Sequence, residues 1–256
     1  MASRSIRLSA LEGIPLVGPG DDLAAILAES MRADIATWPA DGDVLVVAQK
    51  IVSKAEGRFV DLASVVPSAC ALALAETVGK DPRLVEVILS ESTEVVRYKR
   101  DVLIVAHRLG FVMANAGVDQ SNVGPEGDER VLLLPLAPDE SAAGLKAQLD
   151  REFEIELGII INDSFGRPWR NGVVGVALGA AGVPALRNMV GAPDIYGRKM
   201  RVTEVAVADE IAAAASLLMG QGDERIPAVL VRGVAHRAEC VPASALVRPK
   251  EMDMFR

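Results

Sequence analysis

A chain of 256 residues, 50% apolar and 24% charged, is long enough to bury a full core as one domain or as two small interlocked ones. With only two Trp, two Tyr and five Phe, that core must be aliphatic. The net charge of −8 leaves no basic excess for a phosphate backbone, which argues against nucleic acid as a partner; a locally basic pocket for a small anion stays open.

In chain order, apolar patterning predicts a helix over Leu23–Arg32, with Asp21-Asp22 placing acids in its first turn. A strand over Val44–Ala48 follows, then helices over Ala69–Val78 and Leu84–Ser90. Pro67-Ser68 precedes the first of these helices and Gly79 stands just past its end. Strands are predicted over Val102–Ala106, Phe111–Asn115 and Val131–Leu134, and the polar stretch Asn122–Arg130 reads as a seam and a mobile loop. A helix over Ala142–Phe153, opened by Asp139-Glu140-Ser141, leads to a strand over Leu157–Asn162. The last elements are a strand over Arg201–Val207, a helix over Asp209–Met219 closed by Gly220, and a strand over Ala228–Val231. Val95–Asn115 and Val202–Val231 read as neighbouring strands with tight turns, while Gly175–Gly182 marks close packing. The expected class is mixed α/β (α+β), with largely antiparallel sheets and helices rather than a regular doubly wound repeat.

No stretch approaches eighteen consecutive apolar residues, and Met1-Ala2-Ser3-Arg4 runs straight into an amphipathic segment. Neither a membrane span nor a signal peptide is expected, and the cytoplasm is the expected location. Cys70 and Cys240, far apart and outside any CxxC, are expected to be reduced, partly buried thiols. Two histidines, His107 and His236, are too few for a His/Cys zinc site, so any metal must be a hard cation on oxygen ligands.

The chemistry concentrates in three segments. In Leu157–Gly172 an aliphatic strand opens into Asn162-Asp163-Ser164-Phe165-Gly166-Arg167-Pro168-Trp169-Arg170. A carboxylate at the end of a buried strand is costly unless paired or metal-bound. Asp163 and the Ser164 hydroxyl are therefore candidate oxygen ligands for Mg²⁺ or Mn²⁺, and Arg167 and Arg170 are planar forks for phosphate or carboxylate. The alternative is a strand-capping turn in which Asp163 pairs with Arg167, and these residues alone do not choose between the two. Asp119, in Asn115-Ala116-Gly117-Val118-Asp119-Gln120-Ser121-Asn122, is a second acid after a strand end; on its own it reads equally as a turn residue. The segment Gln49–Arg58 carries Lys50, Lys54, Arg58 and Ser53, which suit phosphate binding or form a solvated basic turn. There is no GxxxxGK[ST], no GxGxxG after a strand and no GxSxG.

Taken together these segments resemble the coenzyme F420-0:L-glutamate ligase family over nearly the whole chain. The resemblance runs through Gly13-Ile14-Pro15, Pro19–Asp22, Gln49–Arg58, Gly117–Val123, Asp163–Gly172, Asp194–Gly197, Thr203–Glu210, Arg232-Gly233 and Asp253–Arg256. It implies a GTP-dependent ligase that adds L-glutamate to coenzyme F420-0 through an acyl phosphate, releasing GDP and phosphate. It also implies two divalent cations (Mg²⁺ or Mn²⁺), a K⁺ and a homodimer. By that resemblance Asp119 and Asp163 ligate one metal, Ser164 and Gln221 the other, and Asp163, Arg167 and Arg170 are catalytic. Ile14, Pro15, Leu16, Val17, Gln49, Lys54, Asn122 and the loop Met219, Gly220, Gln221, Gly222, Asp223, Glu224, Arg225 and Ile226 would hold the nucleotide. Gln49 stands where the family usually has a hydroxyl residue, and Ser164 where threonine is frequent. Two rivals remain at this point: a related ligase with another acidic acceptor such as a pterin, and a nucleotide-binding module without turnover.

Overall fold

The computed structural model describes residues 5–124, 128–234 and 239–254. Twelve strands lie among them: β1 (Arg7–Ala10), β2 (Val44–Ala48), β3 (Phe59–Asp61), β4 (Ser92–Lys99), β5 (Val102–His107), β6 (Val112–Ala114), β7 (Arg130–Leu132), β8 (Gly158–Arg167), β9 (Arg170–Ala181), β10 (Arg187–Asn188), β11 (Glu204–Val205) and β12 (Ala228–Arg232). Six α-helices accompany them: α1 (Leu23–Arg32), α2 (Gln49–Ala55), α3 (Ala69–Val78), α4 (Pro82–Ser90), α5 (Pro138–Phe153) and α6 (Val207–Met219).

The central sheet has the order β1-β12-β2-β8-β9. Only β2 and β8 pair in parallel; β1–β12, β12–β2 and β8–β9 are antiparallel. A sheet covered on both faces needs apolar residues on both faces of its strands, and the runs Val44–Val47 and Ile159–Ile161 meet that demand. Leu45, Val47, Ile159 and Ile161 pack with Leu27 and Met31 of α1 and Leu145 and Leu149 of α5. Val44, Val46 and Ile160 point the other way, onto Ile211, Ala212 and Ala215 of α6. A third core joins α3 and α4 to Leu103 and Val105 of β5 and to Val131. The chain is thus mixed α/β with several antiparallel sheets.

Local signals account for the helices predicted best. Ser68 accepts the Ala71 N–H and Gly79 closes α3 in the left-handed region, so α3 has the predicted limits. Asp22 lies one step earlier than expected: it is the N-cap of α1, accepting from the Ala25 N–H, and the first turn itself has no acid. Val95–Asn115 does form adjacent antiparallel strands, β4-β5-β6.

Other expectations fail. The strand predicted to end at Asn162 continues to Arg167, because β9 supplies a ladder partner for every residue through the supposed loop. Gln49–Ala55 is a helix that starts directly after β2, not a basic turn. Val202–Val231 is not a strand pair: β11 pairs with β10, α6 intervenes, and β12 inserts between β1 and β2. The Gly175–Gly182 stretch is closely packed, as expected, but it is strand. A Cβ on Gly179 would lie 2.2 Å from the Pro138 carbonyl of α5, and one on Gly175 would lie 2.5 Å from the Ala212 carbonyl of α6. The bulge between Ile161 and Asn162 shifts the register, so these two glycines face opposite sides. Cys70 and Cys240 are free but exposed rather than partly buried. Residues 125–127 of the expected loop, His236 and the final Phe255-Arg256 lie outside the described residues.

Candidate active site

The site forms at the carboxyl ends of β2 and β8, the only parallel strand pair among the described residues, where open α/β sheets commonly bind ligands. The β2–β8 ladder ends at Ala48 and Asn162. One residue further, β2 becomes α2 and β8 runs on beside β9 alone, so Asp163 emerges beside the first turn of α2.

That turn carries Gln49 and Lys50. Gln49 is 2% exposed. Its Oε1 accepts from Ser53 Oγ at 2.9 Å, one helical turn on, and its Nε2 donates to Asp119 Oδ2 at 3.1 Å. Lys50 Nζ lies 3.3 Å from the same carboxylate oxygen and donates to the Ser121 carbonyl at 3.1 Å. Lys54 Nζ donates to the Asn122 carbonyl at 2.6 Å; burial lowers its pKa, and Lys50 and Arg130 add to the effect. The three bases do not act together, since Arg58 turns away to the Leu134 carbonyl and Glu91. Ser53 is fully buried and given to Gln49, so its predicted availability to phosphate is not realised.

Asp119 is held by an unusual approach. Asn115, Ala116 and Gly117 have φ of 53°, 53° and 67°, a left-handed turn that costs about 1–2 kcal/mol per non-glycine residue. Such a conformation persists only where the surroundings impose it. Here Val118 is buried just beyond the turn, and Asp119 exchanges 2.9 Å backbone hydrogen bonds with Leu132 in both directions.

Asp163 faces the same space. Burial raises its pKa, the charge of Asp119 adds to the effect, and the Ser164 N–H and Lys50 only partly oppose them, so the carboxyl is pushed up to about 7. Burial also raises Asp119, against Lys50 and Gln49. Two carboxyls thus share a partly dry space in which Lys50 and, more weakly, Lys54 only partly offset them, an arrangement that a hard cation would relieve. Among the described residues no three His, Cys, Asp or Glu side chains group together, so neutral oxygens must complete any such site.

The pleat separates Asp163 from its neighbours. Asn162 points to α6, where its Nδ2 donates to Ser216 Oγ at 3.2 Å and approaches Met219 Sδ at 3.4 Å. Ser164 points the same way and accepts from Gln221 Nε2 at 2.8 Å. Asp163 and Ser164 therefore do not face one point as adjacent ligands; their oxygens are divided between the two faces of β8. The 219–226 loop closes the ring, with Asn122 Nδ2 donating to the Gly222 carbonyl at 3.4 Å. Gly220, at φ 69°, turns the chain out of α6, and Glu224 accepts from the Gly222 N–H.

The ring therefore unites Gln49, Lys54, Asp119, Asn122, Asp163, Ser164, Gln221 and Gly222. Other expected residues stand apart from it. Leu16 is 94% exposed, Val17 is buried in the core beside α1, Ile14 packs on that core, and Pro15 is exposed. Met219 and Ile226 pack in the core beneath α6, which leaves only their backbone to a ligand. Asp223 and Arg225 are exposed. Arg170 is exposed at the β8–β9 hairpin, and no ion pair joins Arg167 to Asp163 among the described residues. Sequence reasoning missed Asn162 as a pin to α6; the available signal was an amide inside an otherwise aliphatic run, directly before Asp163.

A family model described as F420-0:Gamma-glutamyl ligase matches residues 13–233. The chain is 46% identical over 256 residues to a coenzyme F420:L-glutamate ligase of Methanothermobacter thermautotrophicus, covering 98% of this chain and 99% of that protein. It is 46% identical over 253 residues to the protein of the same name from Methanopyrus kandleri, covering 96% and 97%. The Methanocaldococcus jannaschii protein of that name is 42% identical over 223 residues, covering 87% and 88%. No described helix is long and apolar enough to cross a membrane. A match of this extent, over the segments that form the ring, places the chain in the F420-0:gamma-glutamyl ligase family, as an enzyme of the ligase class.

Proposed function

We propose that the chain joins L-glutamate to coenzyme F420-0, using GTP to activate the carboxylate as an acyl phosphate. Attack by the glutamate amine then forms the amide and releases phosphate, GDP having left in the first step. The observation that carries this reading is the pair of oxygen-donor sets at the end of β8, Asp119 with Asp163 on one face and Ser164 with Gln221 on the other, with Lys50 and Lys54 beside Asp119. Hard oxygen donors of this kind suit Mg²⁺ or Mn²⁺, and the crowded carboxyls fit a cation better than they fit each other. Bound divalent cations would supply charge neutralisation for the phosphoryl oxygens. The chain's own groups do the rest. Gln49 and Lys50 fix the Asp119 carboxylate, the left-handed turn sets its approach, and Asn162 holds the end of α6 so that Gln221 meets Ser164. A K⁺ site is proposed on the family resemblance alone.

Action in the cytoplasm as a homodimer belongs to the same proposal. The segment between β10 and β11 supports the dimer, since its Ile195, Tyr196 and Val202 are each more than 80% exposed. The test is purified protein with GTP, Mn²⁺, L-glutamate and the glutamate-free coenzyme. GDP and a glutamylated coenzyme are expected, and the absence of both refutes the proposal.

A further inference from the structure

A cavity of about 440 Å³ opens between β9 and the start of α6 and is lined by Arg167, Gly175, Glu204, Asp209, Glu210 and Ala213 among others. Its size suits a small-molecule site. Two of its charged groups lie inside. Arg167 is half-buried, and its Nη1 is buried without a hydrogen-bond partner among the described residues. An unpaired buried guanidinium nitrogen is costly, and a carboxylate is its natural complement. A register shift lies beside Arg167: Gly166 pairs with Val173 and Arg167 with Arg170, so Asn171 and Gly172 of β9 have no β8 partner. Asp209 is also half-buried; its Oδ1 accepts the Ala177 N–H at 2.9 Å, and burial raises its pKa. Glu204 and Glu210 are exposed at the rim.

We infer that this cavity is the subsite for the amino-acid substrate, with Arg167 receiving a carboxylate and Asp209 the ammonium group. The inference rests on the ligase reading above and deepens it. One guanidinium and one carboxylate in a shared recess match the γ-carboxylate and the ammonium of glutamate, whose α-carboxylate, next to the amine, then lies toward the candidate cation site and away from the rim acids. A triphosphate or a phosphodiester would instead meet Asp209 with both rim acids behind it, which disfavours the nucleotide and the deazaflavin as occupants. Position supports the same occupant. Gly175 lines the cavity and is the cross-strand partner of Ser164, so one end abuts the candidate cation site. Asp209 binds the backbone beside that end, since Ala177 pairs with Asn162, whereas Arg167 is five residues, about 17 Å, further along β8, a span that the long Arg167 side chain shortens. An amino acid lying along the strand would hold its amine toward the reacting centre and a carboxylate toward Arg167. Gly175 is also required here, because a Cβ would sit 2.2 Å from Ser216 Oγ and 2.5 Å from the Ala212 carbonyl, which would push α6 away from β9.

The experiment measures steady-state constants for L-glutamate, GTP and the coenzyme, with calorimetric titration of L-glutamate into the protein loaded with GDP and Mn²⁺. Arg167→Gln and Asp209→Asn are each expected to raise the glutamate KM and Kd about tenfold or more while leaving GTP and coenzyme constants within about threefold. Ala213→Leu, which narrows the cavity without removing a charge, is expected to raise the same glutamate constants, and Arg167→Lys to restore part of the loss. Glutarate, which lacks the amine, should compete with glutamate in the wild type and lose little affinity on Asp209→Asn. An Arg167→Gln effect on the coenzyme constant instead of glutamate's overturns the assignment. So do folded Arg167→Gln and Ala213→Leu variants with wild-type glutamate constants. If the wild type binds glutamate in this cavity but forms no amide, the ligase reading fails and the subsite stands.

Discussion

Replacing Asp163 with Asn should stabilise the metal-free protein at alkaline pH and at the same time remove its response to Mn²⁺. Burial and the Asp119 charge raise the Asp163 carboxyl from 3.8 to about 7. That difference is worth about 4 kcal/mol of preference for the neutral form, and residual water contact reduces it to roughly 2 kcal/mol. The sign follows from proton binding. Between pH 4 and 7 the folded state holds a proton that the unfolded state has released, so stability falls as pH rises through this window and stays low above it. Asn keeps the shape and never ionises. At pH 8 the variant should therefore be more stable by roughly 2 kcal/mol, about 4–8 °C in melting temperature for a chain of this size. At pH 4 the difference should vanish. Urea unfolding at pH 4, 6 and 8, with EDTA and then with Mn²⁺, measures both effects. The wild type should gain stability from Mn²⁺ at pH 8 and the variant should not. An Asn variant that is equally or less stable than the wild type at pH 8 in EDTA would show that the carboxyl is neither desolvated nor crowded.

Three further outcomes test the surrounding framework. Gln221→Ala removes the Ser164 partner and should weaken cation-dependent activity at least tenfold while leaving the melting temperature within about 2 °C, as read from an Mn²⁺ titration of turnover. Gly175→Val would drive atoms into Ser216 and the Ala212 carbonyl, with a loss of at least about 3 kcal/mol in chemical denaturation; a loss below about 1 kcal/mol would contradict the close packing of β9 on α6. Glu91 is drawn down to about 2, first by His107, whose Nε2 lies 3.4 Å from Oε2, and then by Arg108 and Arg58. Because the folded value is depressed, its contribution is present above pH 4.5 and is lost as pH falls toward 2. Glu91→Gln should cost about 2 kcal/mol at pH 7, with the gap to wild type closing on acidification in guanidinium melts at pH 7, 4 and 2.5.

The sequence by itself determined the elements whose stabilising interactions are local. Capping by Ser68 and Gly79 fixed α3, the aliphatic run Val44–Val47 fixed β2, and a carboxylate directly after Ile159–Ile161 marked Asp163 as chemically loaded. It could not show that β8 continues through Arg167, because that depends on a glycine-rich partner strand with no apolar alternation of its own. Nor could it show that Gln49–Ala55 is helical, since its apolar face is defined only by packing against β2 and β8. Within the site, family order pointed to Asp119 and Gln221, residues that are unremarkable one at a time. Tertiary structure alone decided that Lys50 reaches Asp119, that Gln221 meets Ser164, and that Asp163 and Ser164 face opposite ways. For Lys50 the physical reason is the packing of α2 against the turn before Asp119, and for the other two it is strand geometry. A strand pleat and a register bulge set direction, and direction is a property of the partner strand as much as of the residue.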